Sequence, residues 1–222
     1  MPKSFRASML AVALICALAT ACTASRRPEE MTDDGLVRVP SRSVAGVYRL
    51  PGASFVQYRR IMLEPPTISF APEWQKNHPK VTAAEILRIR TESAEMFREE
   101  FTRELIDRGP YELTDELAPD VLIVNPAIQD LDILAPETSV APGDRSYTAG
   151  PVKLKVTGEL REAATGKLVG RLTIFEGNER YPFNELRPAN RTTNAHEQRI
   201  AFGKWSRILN EALAVAKVER PR

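Results

Sequence analysis

The stretch Val152-Lys-Leu-Lys-Val-Thr-Gly-Glu-Leu-Arg-Glu-Ala-Ala-Thr-Gly-Lys-Leu-Val-Gly-Arg-Leu-Thr-Ile174 decides the fold. Val152, Leu154, Val156, Gly158 and Leu160 alternate with Lys153, Lys155, Thr157, Glu159 and Arg161, the period-2 pattern of a strand with one buried and one wet face. Ala163-Ala164-Thr165-Gly166-Lys167 is a tight connection, after which Leu168, Gly170, Leu172 and Ile174 resume the alternation. The two arms are expected to form a β-hairpin.

Outward from the hairpin, the period changes to that of helices. Val81-Thr82-Ala83-Ala84-Glu85-Ile86 carries a start signal: Thr82 can cap the first turn, Glu85 can reach back to it, and Val81 can pack on Ile86. Ile86, Ile89, Ser93, Phe97, Phe101 and Leu105 then make one stripe at steps of three or four, and Gly109-Pro110 ends it. A second helix is expected to begin near Asn194 and run to about Lys217, with Phe202, Trp205, Leu209, Ala212 and Ala216 on its apolar face.

Phe55 to Glu64 reads as a strand ended by Pro65-Pro66. Asp120 to Ile133 reads as a central strand, with Asn125-Pro126 expected to bulge or break it. Strand, helix, strand implies a right-handed crossover between parallel strands, and the hairpin adds antiparallel ones. The expected fold is α+β: a two-layer sandwich of a mixed sheet with two long helices on one face.

Composition narrows the functional classes. The chain has 222 residues, 31 Lys plus Arg against 29 Asp plus Glu, 43% hydrophobic residues, 17 Pro and 2 Cys. That excludes a collagen-like, wholly disordered or disulfide-stapled chain and suits one domain. Near-zero net charge argues against nucleic acid as a partner, because phosphate recognition needs a dense positive footprint.

The N-terminus reads as an address. Lys3 and Arg6 precede an apolar run from Ala7 to Leu18, followed by Ala19-Thr20-Ala21-Cys22, the layout of a bacterial secretion signal. The run is shorter than the roughly 20 residues a spanning helix needs. Small residues set directly before Cys22 resemble a lipoprotein lipobox, which places the cut before Cys22 and diacylglycerol on its thiol. The competing reading is an ordinary signal cut after Ala21 or Ala24. On the favoured reading residues 1–21 are the signal, 22–45 the lipidated Cys22 and a flexible tether, and 46–222 one globular domain. Cys16 leaves with the signal, so the mature chain has no pair for a disulfide. Two or more acyl chains hold a protein on a membrane without a basic patch. Thr23 is not the Asp that resembles an inner-membrane retention signal, so the resemblance implies the periplasmic face of the outer membrane.

Phe55-x-x-Tyr58-Arg59-Arg60-Ile61-Met62-Leu63 with Pro65, the capped helix from Thr82, the hairpin Gly158 to Val169, and Phe202-x-x-Trp205 carry a family likeness. On these residues the chain resembles the bacterial lipoproteins grouped as domain of unknown function 3313 (DUF3313), over about Gly46 to Leu213. The resemblance implies a fold and a location and brings no activity or site residue with it. The stretch from Asn178 to Asn194 departs from simple members.

No motif points to chemistry. His78 and His196 are far apart with no partner at ligand spacing, so neither a metal nor another cofactor is expected, and both read as surface residues. No Gly-x-Ser-x-Gly turn frames a nucleophile. Gly166 and Gly170 serve a hairpin rather than a phosphate. Asp130 and Asp132 are the one carboxylate pair on a strand edge, and their ordinary reading is a solvated face.

Two long irregular connections remain, Ala135 to Gly150 and Asn178 to Asn194. They carry Arg145, Tyr147, Arg180, Tyr181, Phe183 and Arg187, residue types common in protein-binding hot spots. The expected function is therefore a non-catalytic, lipid-anchored envelope protein that binds a protein or glycan partner through these loops. The alternative is a hydrolase of envelope material using Asp130 and Asp132.

Overall fold

The protein is described by a computed structural model covering residues 31–40, 45–134, 147–148, 152–177, 187–188 and 190–218. In chain order its elements are β1 Val37–Val39, β2 Gly46–Arg49, β3 Arg60–Leu63, β4 Thr67–Phe70, a short α1 Trp74–Asn77 and α2 Ala83–Phe101. A π-helical turn, Thr102–Asp107, extends α2. There follow β5 Glu112–Leu113, β6 Val121–Ile133, β7 Tyr147–Thr148, β8 Val152–Glu162, β9 Leu168–Glu176, β10 Arg187–Pro188 and α3 Arg191–Val218.

The expected hairpin is present: β8 and β9 pair antiparallel, with Val156 opposite Ile174 and Gly158 opposite Leu172. Gly166 adopts φ 71°, a left-handed conformation that glycine enters without steric cost, and its N–H donates to the Glu162 carbonyl at 2.8 Å. The hairpin sits inside a mixed eight-stranded sheet ordered β1-β2-β9-β8-β6-β3-β5, with β4 also paired to β6. Only β3, β4 and β5 bring parallel pairing, and β3 runs parallel to β6 from Arg60 opposite Val121. That is the crossover expected around α2. The fold is the α+β sandwich of mixed sheet and two long helices.

Alternation assigns the two faces. Val124, Pro126 and Ile128 lie opposite Leu160, Gly158 and Val156, which lie opposite Gly170, Leu172 and Ile174. These form the inner face under α2 and α3. On the outer face Glu159 bonds both Arg161 and Arg171, and Arg171 also reaches Asp34 at 2.6 Å. The outer face stays polar.

Thr82 caps α2 as expected, its hydroxyl accepting the Glu85 N–H at 3.2 Å. The Glu85 carboxylate does not close a capping box but pairs with Arg88 one turn on. The stripe Ile89, Ser93, Phe97, Phe101 and Leu105 is buried throughout. In the π turn the Arg108 N–H bonds the Arg103 carbonyl, five residues back, and the Asn210 amide of α3 takes up the Glu104 carbonyl at 3.1 Å.

Phe97 lies 5.5 Å from both Phe202 and Trp205, ring centre to ring centre, so α2 and α3 meet through aromatic side chains. Trp205 continues into the sheet, fully buried, with its indole N–H 3.4 Å from the Leu172 carbonyl. Its ring occupies the space over Gly158. A Cβ at that position would stand 2.3 Å from the ring.

Two expectations are corrected. Asn125-Pro126 does not break β6, which runs through it with Pro126 buried opposite Gly158. The reason is parity. Val124 turns its carbonyl toward the β3 side, accepting from the Glu64 N–H, and Pro126 faces the same side just where β3 has ended and β4 begins only opposite Ala127. Its missing N–H therefore faces the Pro65-Pro66 link and costs no ladder bond. The irregularity falls instead between Gln129 and Asp132, where Asp130 takes φ 53°.

The second correction concerns the range assigned to a tether. Residues 31–40 belong to the fold: β1 pairs with β2, Met31 bridges Val37, and Leu36 is fully buried with its N–H on the Thr32 hydroxyl. Val-Arg-Val is too short to show a period in sequence, and it is fixed by the sheet edge.

The Trp205 socket predicts that Gly158→Ala destabilises the protein by about 1–3 kcal/mol, the usual cost of overpacking a core. Denaturant unfolding followed by tryptophan fluorescence measures it, and a variant as stable as wild type contradicts the socket.

Candidate functional site

Two long connections leave and re-enter one end of the sheet. Ile133, at the end of β6, pairs with Val152 at the start of β8, and Leu154 pairs with Glu176 at the end of β9. The fourth base is the start of α3, where Asn194, 4% exposed, donates its side-chain amide to the Leu134 carbonyl at 2.9 Å. Trp74 does the same one residue earlier, its indole N–H meeting the Ile133 carbonyl at 3.1 Å. The base of the first connection is thus gripped by two buried side chains from different helices.

Within the connections, β7 pairs antiparallel with β10, with Tyr147 opposite Pro188 and Thr148 opposite Arg187. Of the six residues singled out in the sequence, this ladder brings together the backbones of Tyr147 and Arg187. Arg145, Arg180, Tyr181 and Phe183 lie outside the described residues, as does Cys22.

Beside this end is an aromatic shelf. Phe70 stacks on Trp74 at 4.3 Å, Trp74 stacks on His78 at 4.7 Å, and the Arg90 guanidinium stands 5.7 Å over the Phe70 ring. His78 is therefore only partly a surface residue, because its ring is held by stacking and by a 2.8 Å contact between Nδ1 and the Trp74 carbonyl. His196 is exposed on α3. The concavity beside the shelf is open and has a volume of about 600 Å³.

A second concavity, also about 600 Å³, lies at the opposite end, between the C-terminal half of α3 and the β1-β2-β9 edge. It has a geometric origin. Seven strands at about 4.8 Å span roughly 29 Å, whereas two helices 8–10 Å apart cover roughly 20 Å. Two strands' width of apolar sheet is left beside α3. Val39, Val47 and Leu172 line the sheet side and Leu209, Ala212 and Ala216 the helix side, with Phe55 also lining the groove. This groove escaped sequence reasoning. Its signal was Ile208 to Ala216, where Ala214 and Val215 continue the apolar character beyond the buried stripe, leaving Val215 53% exposed.

Asp130 is exposed and Asp132 half-buried, and the bulge at Asp130 breaks the alternation that was to align them. Neither lines either concavity or a third, smaller one between α2 and α3. Among the described residues no group of three or more His, Cys, Asp or Glu could hold a metal ion, and no helix is long and apolar enough to cross a membrane.

Charge on the outer face is organised around Glu159. Burial pushes its carboxyl up, but the hydrogen bonds from Arg161 and Arg171 outweigh burial and hold it below the ordinary carboxylate range. Arg171 is raised despite its own burial, through Asp34 and Glu159.

The fold and these surfaces define a two-layer α+β domain with a loop cluster at one end and an apolar groove at the other. No family model matches the chain, and no curated protein does. Among solved structures the chain is similar to the PelC dodecamer of Paraburkholderia phytofirmans, at 11% identity and a TM-score of 0.37 over 75% of this chain and 98% of that one. It is also similar to a Xanthomonas campestris protein of family DUF330, at 10% identity and a TM-score of 0.41 over 75% and 88%. A third is a Helicobacter pylori homolog of a neuraminyllactose-binding hemagglutinin, at 11% identity and a TM-score of 0.32 over 75% and 85%.

A carboxylate whose folded pKa is depressed adds stability that is complete above its unfolded value of about 4.3 and is lost as pH falls through the folded value. Glu159 is such a group. Between about pH 6 and about pH 3 the melting temperature of wild type should therefore fall further than that of Glu159→Gln. Equal falls in the two proteins contradict a stabilising role for the Glu159 pairs.

Proposed function

We propose that the protein is a non-catalytic, lipid-anchored envelope protein, related to the DUF3313 lipoproteins, that holds an envelope partner through its two long connections. Cys22 carries the anchor, at the periplasmic face of the outer membrane. One observation supports the binding surface above the others: β7 and β10 join the two connections into a ladder of their own, so residues distant in sequence present one surface. A surface built from two connections and gripped at its base by Trp74 and Asn194 loses less conformational freedom on binding than two separate loops would.

Met31 suits this reading. It bridges Val37, whose neighbours across the sheet are Arg49 and then Gly170, six residues along β9 from Glu176. At about 3.3 Å per residue, the described chain starts roughly 20 Å along the strands from the loop bases. The partner, a protein or a glycan, then meets the loops on the side away from that start.

Replacing residues 136–146 with a Gly/Ser linker of equal length should abolish recovery of the partner when the lipidated protein is pulled from envelope extracts. Unchanged recovery of every bound species overturns the loop surface. For the anchor, Cys22→Ser should remove the acyl mass from the mature protein and release it from the membrane fraction or hold it as precursor. A wild-type intact mass without acyl chains rules the anchor out.

A further inference from the structure

We propose that the groove beside α3 is a binding site for a single hydrocarbon chain, the acyl chain of a fatty acid or lysolipid. Size decides the class of occupant. The groove's volume of about 600 Å³ lies in the range of small-ligand sites, about 300–1,000 Å³. An α-helix about 10 Å across would fill it with roughly five residues, less than a turn and a half, too little to seat an amphipathic partner helix. A slender ligand fits where a helix does not.

Lining decides the chemistry. Thirteen of the seventeen lining residues are apolar, so a polar solute would lose its hydration without return. Ala212, Ala214 and Ala216 present short side chains from α3, which leaves room beside the sheet wall. The lining's other members, Tyr48, Arg49, Arg171 and Glu211, are half-buried or exposed, so they stand where the groove meets solvent. A hydrocarbon tail inside and an ionic head at this rim match that division. Arg171 is held on the outer face by Glu159 and Asp34, so the rim cation on the groove's own face is Arg49, opposite Gly170, whose charge suits the carboxylate or phosphate such a chain carries.

Segments of this chain are poor occupants by composition. Ser41-Arg-Ser-Val44 and Glu219-Arg-Pro-Arg222, which adjoin the groove-lining elements in sequence, are polar. The site itself does not depend on anchoring or on the loop surface. Only the idea that a nearby membrane supplies the chain rests on the anchored reading.

The test uses mature Cys22→Ser protein in solution, so that attachment cannot contribute, and titrates it with a polyene fatty acid that fluoresces in apolar surroundings. Saturable binding of one probe per chain is expected. Ala212→Phe, which fills a half-exposed position in the groove, should weaken it at least tenfold, whereas Leu87→Phe on the exposed side of α2 should not. Near-ultraviolet circular dichroism of both variants must match the parent. If Ala212→Phe perturbs the fold, Val215→Arg, at an exposed lining position, takes its place. Competition by lysophosphatidylglycerol against palmitate separates a membrane-lipid source from a free fatty acid, and displacement by either supports the site. Absence of saturable binding, or equal affinity in the groove variants, overturns it. Replacement of residues 136–146 should leave probe binding unchanged, so a failure of the loop surface and a failure of the groove give different results.

Discussion

The seating of Trp205 on Gly158 is the contact on which the rest of the structure depends. Gly158 lies in the middle strand of the inner face, between Pro126 on one neighbour and Leu172 on the other. With no Cβ there, the indole reaches the sheet and places its N–H 3.4 Å from the Leu172 carbonyl. Phe97 and Phe101 of α2 then pack on the same ring at 5.5 and 6.4 Å. One aromatic side chain thus sets the height of α3 over the sheet and the position of α2 beside α3. An aromatic of this size buries on the order of 200 Å², and at about 25 cal/mol per Å² that is roughly 5 kcal/mol of gross burial, comparable to a domain's whole net stability.

The second constraint is one of width. A pair of helices cannot cover a sheet that extends through β9 and β2 to β1, and among the described residues the one other α-helix, the single turn α1, stands at the opposite end beside the loop bases. The uncovered strip is apolar where it faces α3 and short where it ends, since β1 has three residues. A short edge strand limits edge-to-edge pairing with other chains. The strip is therefore expressed as a groove rather than as a docking edge. At the other end the sheet stops at Ile133, Val152 and Glu176, and the chain turns into its two long connections.

Much of this was legible in sequence because periodicity reports burial directly. Val152 to Ile174 alternates, Ile89 to Leu105 steps by four, and both become buried faces as read. Features that failed to show are those fixed by partners distant in sequence. Pro126 looks like a break until the chain opposite its missing N–H is known to have left the ladder. Val37 to Val39 becomes a strand only because β2 lies beside it. His78 looked solvated because its stacking partner Trp74 stands in a one-turn helix without apolar period. Tyr147 and Arg187 were picked out by residue type alone, and no local signal announced that the strands carrying them, β7 and β10, pair. The groove was the least legible feature, being a difference between the widths of two layers.

The seam between α2 and α3 explains how both ends keep their geometry. Its centre is aromatic, but its flanks are polar: Ser93 donates to the Gln198 side chain at 2.6 Å, and Glu100, 1% exposed, pairs with Arg103 and lies 3.6 Å from Arg199. Gly203 faces Glu100 so closely that a Cβ would stand 3.0 Å from its carboxylate. Aromatic packing alone tolerates small slides of one helix along another, whereas a buried carboxylate left without its cations costs several kcal/mol. The polar contacts therefore fix the register that the rings leave soft. Because α3 is one helix of 28 residues, about 42 Å long, that register is carried in both directions. Asn194 is held at the Leu134 carbonyl and Ala212 is held at the groove, so one packing decision made at Trp205 and Glu100 places the loop bases and the apolar wall together.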